Sequence, residues 1–410
     1  MIDNIQLELV RKRILNVLDH QQDCSDEMVL QQIESIVLNS NEFKHITAGE
    51  KQRIIRQVYD GIRGYDVLQT LIDDPTITEI MVNSHDCIFI EKKGGIERST
   101  IQFDNEQKLN ELIRSIVGKV NRIVTESSPI VDARLRDGSR VHVVLPPVAL
   151  QGPTMTIRKF PAQPLTMNDL LILGTLSEEA AQFLKEVVQA KYNIFIGGGT
   201  GSGKTTILNV LTQSIPEDER IITIEDAAEL QISHLANLVR LETRNANMEG
   251  KGAISIRELI RASLRMRPNR IIVGEVRGAE AFDMLQAMNT GHDGSLSTGH
   301  ANSSRDMITR LETMILAAAS LPIEVIRHQI VSAIDIVVHI SRLRDKSRRI
   351  TEIHEIVGFK NGEVILQPIF LFKESAPPSL NQVSGSLQRT GYRLQNQLKL
   401  RAIGMEEGKW

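Results

Sequence analysis

A glycine-rich segment, GGGTGSGKTT, constrains this 410-residue chain more than any other feature. It follows the apolar run NIFI and matches G-x-x-x-x-G-K-[ST], with Gly198, Gly203, Lys204 and Thr205 at the fixed places. After a strand and at the start of a helix, this pattern is typical of a loop whose backbone N–H groups surround a phosphate. The sequence therefore predicts a nucleoside triphosphate site on an α/β sheet.

The residues of this loop have different expected roles. Lys204 offers a positive charge to the β and γ phosphates, and the hydroxyl of Thr205 is suited to Mg²⁺. The dinucleotide pattern G-x-G-x-x-G has no match from 197 to 203, and a chance glycine turn does not explain the Lys-Thr pair. The predicted nucleotide-binding residues are Gly198, Gly199, Thr200, Gly201, Ser202, Gly203, Lys204, Thr205 and Thr206.

Four short apolar runs, NIFIG, RIITIED, RIIVGEV and SLSTGH, alternate with helical periodicity and predict a parallel sheet covered on both faces. Ligands bind at the carboxyl ends of such strands, where Glu225, Asp226, Glu229 and Glu275 lie in this sequence. We expect Glu275 and Glu229 to polarise the attacking water, and Glu225 to help Thr205 hold Mg²⁺. For Asp226, the sequence supports a role in capping a helix as much as a role in catalysis.

The third and fourth runs carry two further signals. Gly274 stands where many P-loop ATPases have a magnesium-organising aspartate, directly before Glu275. His300 closes the fourth run and is predicted to respond to the γ phosphate. His292, at the start of that run, is assigned a structural role, as is usual for a lone histidine.

The ordered set GGGTGSGKTT, TIEDAAEL, RIIVGEVRG and TGHDGSLSTGHA resembles the Walker A, Asp box, atypical Walker B and His box of the type II/type IV secretion ATPase superfamily. The resemblance runs from about Asp73 to about Phe372 and includes the glycine of the Walker B motif. It implies a homo-hexameric motor that uses ATP and Mg²⁺, with a sensor-like α+β domain linked to a RecA-like P-loop ATPase domain. Three segments are most similar to CpaF-type ATPases of tight-adherence (Tad/Flp) pili, and next to conjugation-type ATPases. They are IDDPTITEIMVN, SSPIVDARLRDGSRVHVVLPPVA and TMTIRKF.

The same resemblance implies that arginines of the N-terminal domain reach the γ phosphate. Arg140 and Arg158 occupy the matching positions. A positive fork at the transferring phosphate contributes about a thousandfold or more to the rate in related chemistry. Arg134 and Arg136 are assigned to surface ion pairs instead.

Composition and the positions of helix- and strand-breaking residues define the rest of the expected organisation. The net charge of −3 and an aromatic content of 4% argue against nucleic-acid binding. Two cysteines and the absence of a long apolar run favour a cytoplasmic protein with at most peripheral membrane contact. The predicted segments are a helical extension (1–66), an α+β domain (67–160), a linker at PAQPL (161–170), the RecA-like ATPase domain (171–375) and a polar tail (376–410).

The combined prediction is a hexameric motor ATPase at the inner face of the cytoplasmic membrane, where it drives Tad or type IV pilus assembly or protein secretion. Its expected partner is an inner-membrane platform protein. The alternatives are a conjugation-type secretion ATPase, a DNA-translocating RecA-like ATPase, and a nucleotide-gated scaffold with slow turnover. The basic turn with Lys346, Arg348 and Arg349 is interpreted as a solvated loop rather than a contact with lipid or a partner.

Overall fold

The computed structural model describes residues 10, 13–14, 25–40, 43–92, 94–120, 122–160, 164–244, 246, 251–375, 382–405 and 408–410. The chain divides into two compact units, 1–162 and 163–410. Leu7 and Leu18 of the predicted helical extension and residues 161–163 of the predicted linker lie outside the described residues. Within the described ranges, no helix is both long enough and apolar enough to cross a membrane.

Two helices open the described part of the first unit. Helix α1 (Asp26–Asn39) and helix α2 (Ala48–Ile62) pack together along faces whose apolar residues recur at helical spacing. Helix α2 begins with a capping box, in which Thr47 and Glu50 satisfy each other's backbone N–H groups. The buried residues shared by the two helices are Val29, Ile33, Val37, Ile54, Ile55 and Val58.

The rest of this unit is an antiparallel sheet with the order β3-β2-β1-β6-β5-β4. The short helix α3 (Gln69–Asp73) precedes it, and the apolar face of α4 (Glu106–Lys119) packs on it. The unit has the predicted α+β composition; its apolar segment RVHVVLPPVA forms a strand only as far as Val144, because two prolines follow. The strands are β1 (Ile77–Ser84), β2 (Cys87–Lys92), β3 (Gly95–Arg98), β4 (Ile130–Arg134), β5 (Arg140–Val144) and β6 (Thr154–Arg158).

The second unit is built on a nine-stranded sheet with the order β15-β14-β13-β12-β7-β11-β10-β8-β9. The strands from β12 to β9 are parallel, and β13 to β15 extend the sheet antiparallel. All four strands predicted from the apolar runs are present. The strands are β7 (Ile194–Gly198), β8 (Ile221–Glu225), β9 (Leu238–Glu242), β10 (Arg270–Val276), β11 (Leu296–His300), β12 (Ile336–Arg342), β13 (Arg348–Lys360), β14 (Glu363–Glu374) and β15 (Gly385–Arg389).

Helices cover both faces of this sheet and create two apolar cores. Helix α5 begins at Met167, within the segment assigned to the linker. A tight turn at Asn361 and Gly362, whose φ values are 54° and 80°, joins β13 to β14, as the Asn-Gly pair in the sequence predicts. The helices are α5 (Met167–Ile172), α6 (Glu178–Gln189), α7 (Lys204–Thr212), α8 (Ile256–Ser263), α9 (Glu280–Asn289), α10 (Ser304–Ala318), α11 (Ile323–Ala333) and α12 (Leu398–Ala402).

The segment after residue 375 differs from the polar tail expected from its composition. Its described part adds β15 to the sheet, and Trp410 is buried against Phe183 and Phe370. The indole nitrogen of Trp410 donates to Glu186 at 2.6 Å. A few apolar side chains therefore tie a largely polar segment to the core of the second unit.

Candidate functional site

The carboxyl ends of neighbouring parallel strands meet at one edge of the second unit's sheet. Strand β7 leads into the glycine-rich loop, and its last residue, Gly198, pairs with His300 at the end of β11. Next in the sheet come β10, which carries Glu275, and β8, which ends at Glu225. The parallel topology thus brings together residues that are far apart in sequence.

The loop at 198–203 uses glycine where no other residue fits. Gly201 and Gly203 have φ values of 69° and 103°, in the left-handed region that favours glycine. A side chain at Gly198 would overlap the carbonyl oxygen of Ile340. Because α7 starts directly at Lys204, the loop ends on the N-terminus of a helix, which favours a phosphate there.

A chain of polar side chains runs from this loop across the strand ends. Lys204 Nζ donates to Gly199 O at 3.0 Å and lies 3.3 Å from His300 Nδ1. On the other side of the ring, His300 Nε2 lies 2.7 Å from Glu275 Oε1, and Arg277 Nη2 donates to Glu275 Oε2 at 2.7 Å. With Nδ1 accepting from the lysine, the ring hydrogen lies on Nε2; the contact of Nε2 with Glu275 Oε1 is a close approach and not a hydrogen bond, because Oε1 has no hydrogen-bond partner among the described residues.

Burial and charge together favour the neutral form of His300. Desolvation lowers the pKa of His300, the nearby Glu275 opposes this, and the cations Lys204 and Arg277 lower it further. On the opposite side of the carboxylate, the hydrogen bond with Glu275 raises the pKa of Arg277. A neutral imidazole therefore connects the loop lysine to the strand-end glutamate, and it can exchange hydrogen-bond partners when the charge at the loop changes.

The residues present fit a magnesium ion that is held mainly through a nucleotide. Thr205 lies in the first turn of α7, beside the loop. Across the described ranges, no group of three or more His, Cys, Asp or Glu residues could hold a metal ion. Thr205 would therefore hold the cation together with phosphate oxygens and water.

A family model described as "Type II/IV secretion system protein" matches residues 63–384. The chain belongs to this family. It is 35% identical over 305 residues to a putative conjugal transfer protein of Mycobacterium tuberculosis, covering 73% of this chain and 86% of that protein. It is 32% identical over 315 residues to the conjugal transfer protein TrbB of Rhizobium radiobacter, covering 76% and 92% of the two chains.

Solved structures agree on the fold of this secretion system protein. A crystal structure of the pilus retraction motor PilT with bound ADP matches with a TM-score of 0.51 and 19% identity, over 82% of this chain and 86% of that chain. The RecA-like α/β architecture predicted from the motifs is therefore confirmed, as is the secretion ATPase family. The finer likeness to CpaF-type proteins stays a prediction.

The glycine of the Walker B motif has a packing reason in this family member. A Cβ atom at Gly274 would lie 2.9 Å from Cγ of Glu225, closer than side chains approach. Thr298 also donates to the carbonyl of Gly274 at 2.7 Å, which fixes the strand backbone at this point. Glu225 thus occupies the space that an aspartate at position 274 would need.

Glu225 itself faces its own loop. Its Oε1 accepts the backbone N–H groups of Glu229 and Leu230 at 2.8 and 3.0 Å, and its Oε2 is buried without a hydrogen-bond partner. Burial raises the pKa of Glu225 to about 7, although the two backbone hydrogen bonds oppose the change. In the described structure this carboxyl group orders the Glu229 loop, and its predicted part in binding Mg²⁺ stays a prediction.

The raised pKa of Glu225 gives a testable dependence of stability on pH. Between pH 4.5, its ordinary value, and about 7, the folded protein retains a proton that the unfolded chain releases, so stability falls as pH rises and levels off above 7. The Glu225→Gln variant has no carboxyl group at this position and lacks this contribution to the pH dependence of stability. Chemical unfolding at pH 5 and 7.5 should show wild type losing about 2 kcal/mol relative to the variant. Equal pH slopes for the two proteins would contradict this assignment.

Two other strand-end residues lie at the margin of the polar chain. Asp226 precedes an irregular loop instead of a helix, so the capping alternative does not apply; its Oδ2 lies 3.8 Å from Arg277 Nη1. Glu229 contacts the strand end through its backbone N–H group. His292 lies before β11, at the opposite end from His300, with Nδ1 3.2 Å from Ala287 O, in agreement with a structural role.

The predicted arginines lie in a row across the first unit's sheet. Arg158 pairs directly with Arg140, and Arg140 pairs with Arg134 on the next strand. Like charges directly opposite one another destabilise a sheet, and Glu79, which pairs with Arg158 on β1, offsets part of this repulsion. Arg140 Nη2 lies 3.7 Å from Asp132 Oδ1, which offsets part of the charge. Arg136 pairs with Asp26 at 3.3 Å, as expected for a surface ion pair.

The basic turn before β13 was not predicted to belong to the site. Arg348 Nε donates to Gly201 O at 2.9 Å, and Arg349 donates to Gly174 O. Arg348 therefore supports the outer side of the phosphate loop. The sequence signal was the cluster of basic residues, but the pairing of β12 with β13 was needed to place it.

Proposed function

We propose that this chain is a homo-hexameric ATPase that drives a type IV secretion or pilus machine from the cytoplasmic face of the inner membrane. The observation that carries the proposal is the Lys204–His300–Glu275 chain beside a glycine loop that opens a helix. In this arrangement the lysine binds the β and γ phosphates, and Glu275 orients and polarises the attacking water. Bound Mg²⁺ supplies charge neutralisation at the phosphates.

The transported substrate is the open part of this proposal. The two relatives reported above are named conjugal transfer proteins, which supports a conjugation-type secretion ATPase. The motifs ITEIMVN and SRVHVVLPPVA, through their likeness to CpaF-type proteins, keep Tad-pilus assembly, the first prediction from the sequence, as the other candidate. In both cases the partner is a membrane platform protein, and His300 couples loss of the γ phosphate to movement of the subunits.

Enzyme assays and mass measurements on the full chain test the proposal. We expect light scattering to give a hexameric mass with Mg²⁺ and ATP, and steady-state assays to show ATP turnover that single- and double-stranded DNA leave unchanged. Strong, salt-sensitive stimulation by DNA would favour a translocase instead. Hexamer assembly that requires nucleotide but is not accompanied by ATP hydrolysis would indicate the nucleotide-gated scaffold.

The arginine row gives a second test of the hexameric motor. Arg140→Ala and Arg158→Ala should each reduce ATP turnover at least tenfold, because an arginine at the γ phosphate stabilises the charge of the transition state. Arg136→Ala is the matched control, since Arg136 pairs with Asp26 in the same unit. Turnover within twofold of wild type for both row variants would remove these arginines from the active site.

A further inference from the structure

A cavity of about 390 Å³ opens beside the phosphate loop. Its walls include Gly199 and Thr200 of the loop and His300 at the strand end. Helix α10 supplies the remaining wall, which is polar. The residues from that side are Asn302, Asp306, Thr309 and Arg310.

The position of Lys204 identifies which end of a nucleotide this cavity faces. Lys204 Nζ contacts Gly199 O at 3.0 Å and His300 Nδ1 at 3.3 Å, and both of these residues line the cavity. The lysine of such a loop binds the β and γ phosphates. The cavity therefore receives the terminal phosphate rather than the base or the ribose.

Arg310 brings a cation to this cavity. It lies on the third wall, on α10, and its charge acts on His300 across the space between them. Its residue is exposed, and among the described residues its guanidinium has neither a hydrogen bond nor an ion pair, with Asp306, one turn earlier on the helix, included. Five N–H donors in a fixed planar geometry thus face an anion site without a protein acceptor.

The arginines nearest to the loop and on the same helix differ from Arg310 in this respect. Arg277 donates to Glu275, Arg348 donates to Gly201 O, and Arg305 on the same helix pairs with Glu363 at 3.2 Å. Each of them has an acceptor on the protein itself. Arg310 differs because the acceptor that matches its place is a phosphate oxygen, which a guanidinium binds with two parallel hydrogen bonds.

We propose that Arg310 binds the terminal phosphate of the nucleotide from within its own ATPase unit, on the side opposite Lys204. It would be a catalytic residue in addition to Glu275 and to the arginine row of the first unit. The inference rests on the proposed function, because it assumes that the loop binds a nucleoside triphosphate. Its specific consequence is that Arg310 distinguishes ATP from ADP, since only ATP places a phosphate in the cavity.

Nucleotide binding measured by calorimetry tests this assignment without depending on turnover. The proteins are wild type, Arg310→Ala, Arg310→Lys and the control Arg305→Ala, each titrated with Mg²⁺ plus either ADP or a non-hydrolysable ATP analogue. Arg310→Ala should bind the triphosphate at least tenfold more weakly and ADP within twofold of wild type. Arg310→Lys should recover part of the loss, and Arg305→Ala should match wild type.

Several outcomes would overturn the assignment. Equal weakening for both nucleotides would mean a general structural role, and unchanged triphosphate binding would place Arg310 outside the site. If Arg305→Ala weakened binding as much as Arg310→Ala, both residues would act only through the charge that they add to the surface. If wild type binds both nucleotides but never hydrolyses ATP, the proposed function fails while the ATP-to-ADP discrimination of Arg310 is still decided by the same titrations.

Discussion

Replacing Glu275 with glutamine is expected to reduce steady-state ATP hydrolysis by on the order of a thousandfold while nucleotide affinity stays within threefold. The substitution keeps the shape of the side chain and its contact with Arg277, but removes the negative charge that polarises water. Glu275 is the carboxylate that lies 2.7 Å from His300 Nε2; its Oε1 is buried without a hydrogen-bond partner among the described residues, and its side chain as a whole is 20% exposed.

Glu229→Gln is the informative comparison for this variant. The contact that the structure gives Glu229 is made by its backbone N–H group to Glu225, so the side-chain change should reduce turnover less than Glu275→Gln does. Rates should be measured with saturating Mg²⁺ and ATP, and affinities with the non-hydrolysable analogue. A Glu275→Gln variant with wild-type turnover, or a larger loss for Glu229→Gln, would move the water-activating role to the other carboxylate.

The features that could be predicted from sequence are those in which a local pattern determines geometry. The glycine loop and its lysine are contiguous, and the strand ends follow from short apolar runs that can only be buried parallel strands. For that reason the sequence alone predicts that His300 and Glu275 lie at the same sheet edge as Lys204. Their order along the chain does not matter, because parallel topology brings every strand's carboxyl end to one edge.

The features that the sequence does not predict depend on the register of paired strands and on which donor reaches a given hydrogen-bond acceptor. Arg348 reaches Gly201 only because an antiparallel strand pairs with β12, and no local pattern encodes that pairing. Glu225 looks like a metal ligand by position, yet the nearest donors are the backbone N–H groups of its own loop. Trp410 stands in a polar segment, and its burial depends on the distant partners Phe183 and Glu186.

Lys204→Ala is expected to abolish tight nucleotide binding together with hydrolysis, which separates it from Glu275→Gln. The lysine is buried to 8% exposure, and its ammonium group lies between the loop carbonyl of Gly199 and the ring of His300. Its removal leaves the phosphates with the loop N–H groups but without the nearest positive charge. We expect affinity for the triphosphate to fall at least a hundredfold and turnover to become undetectable.

Thermodynamic linkage provides the measurement for this variant. At a nucleotide concentration of about 100 times the wild-type Kd, binding stabilises the folded protein by about 2.7 kcal/mol, whereas a hundredfold weaker site gives only about 0.4 kcal/mol. The increase in unfolding temperature with Mg²⁺ and ATP should therefore nearly vanish in Lys204→Ala. Lys185→Ala, an exposed lysine on α6, should keep the full increase. An unchanged increase in Lys204→Ala would show that nucleotide binds elsewhere, and would overturn the site from which every other expectation here follows.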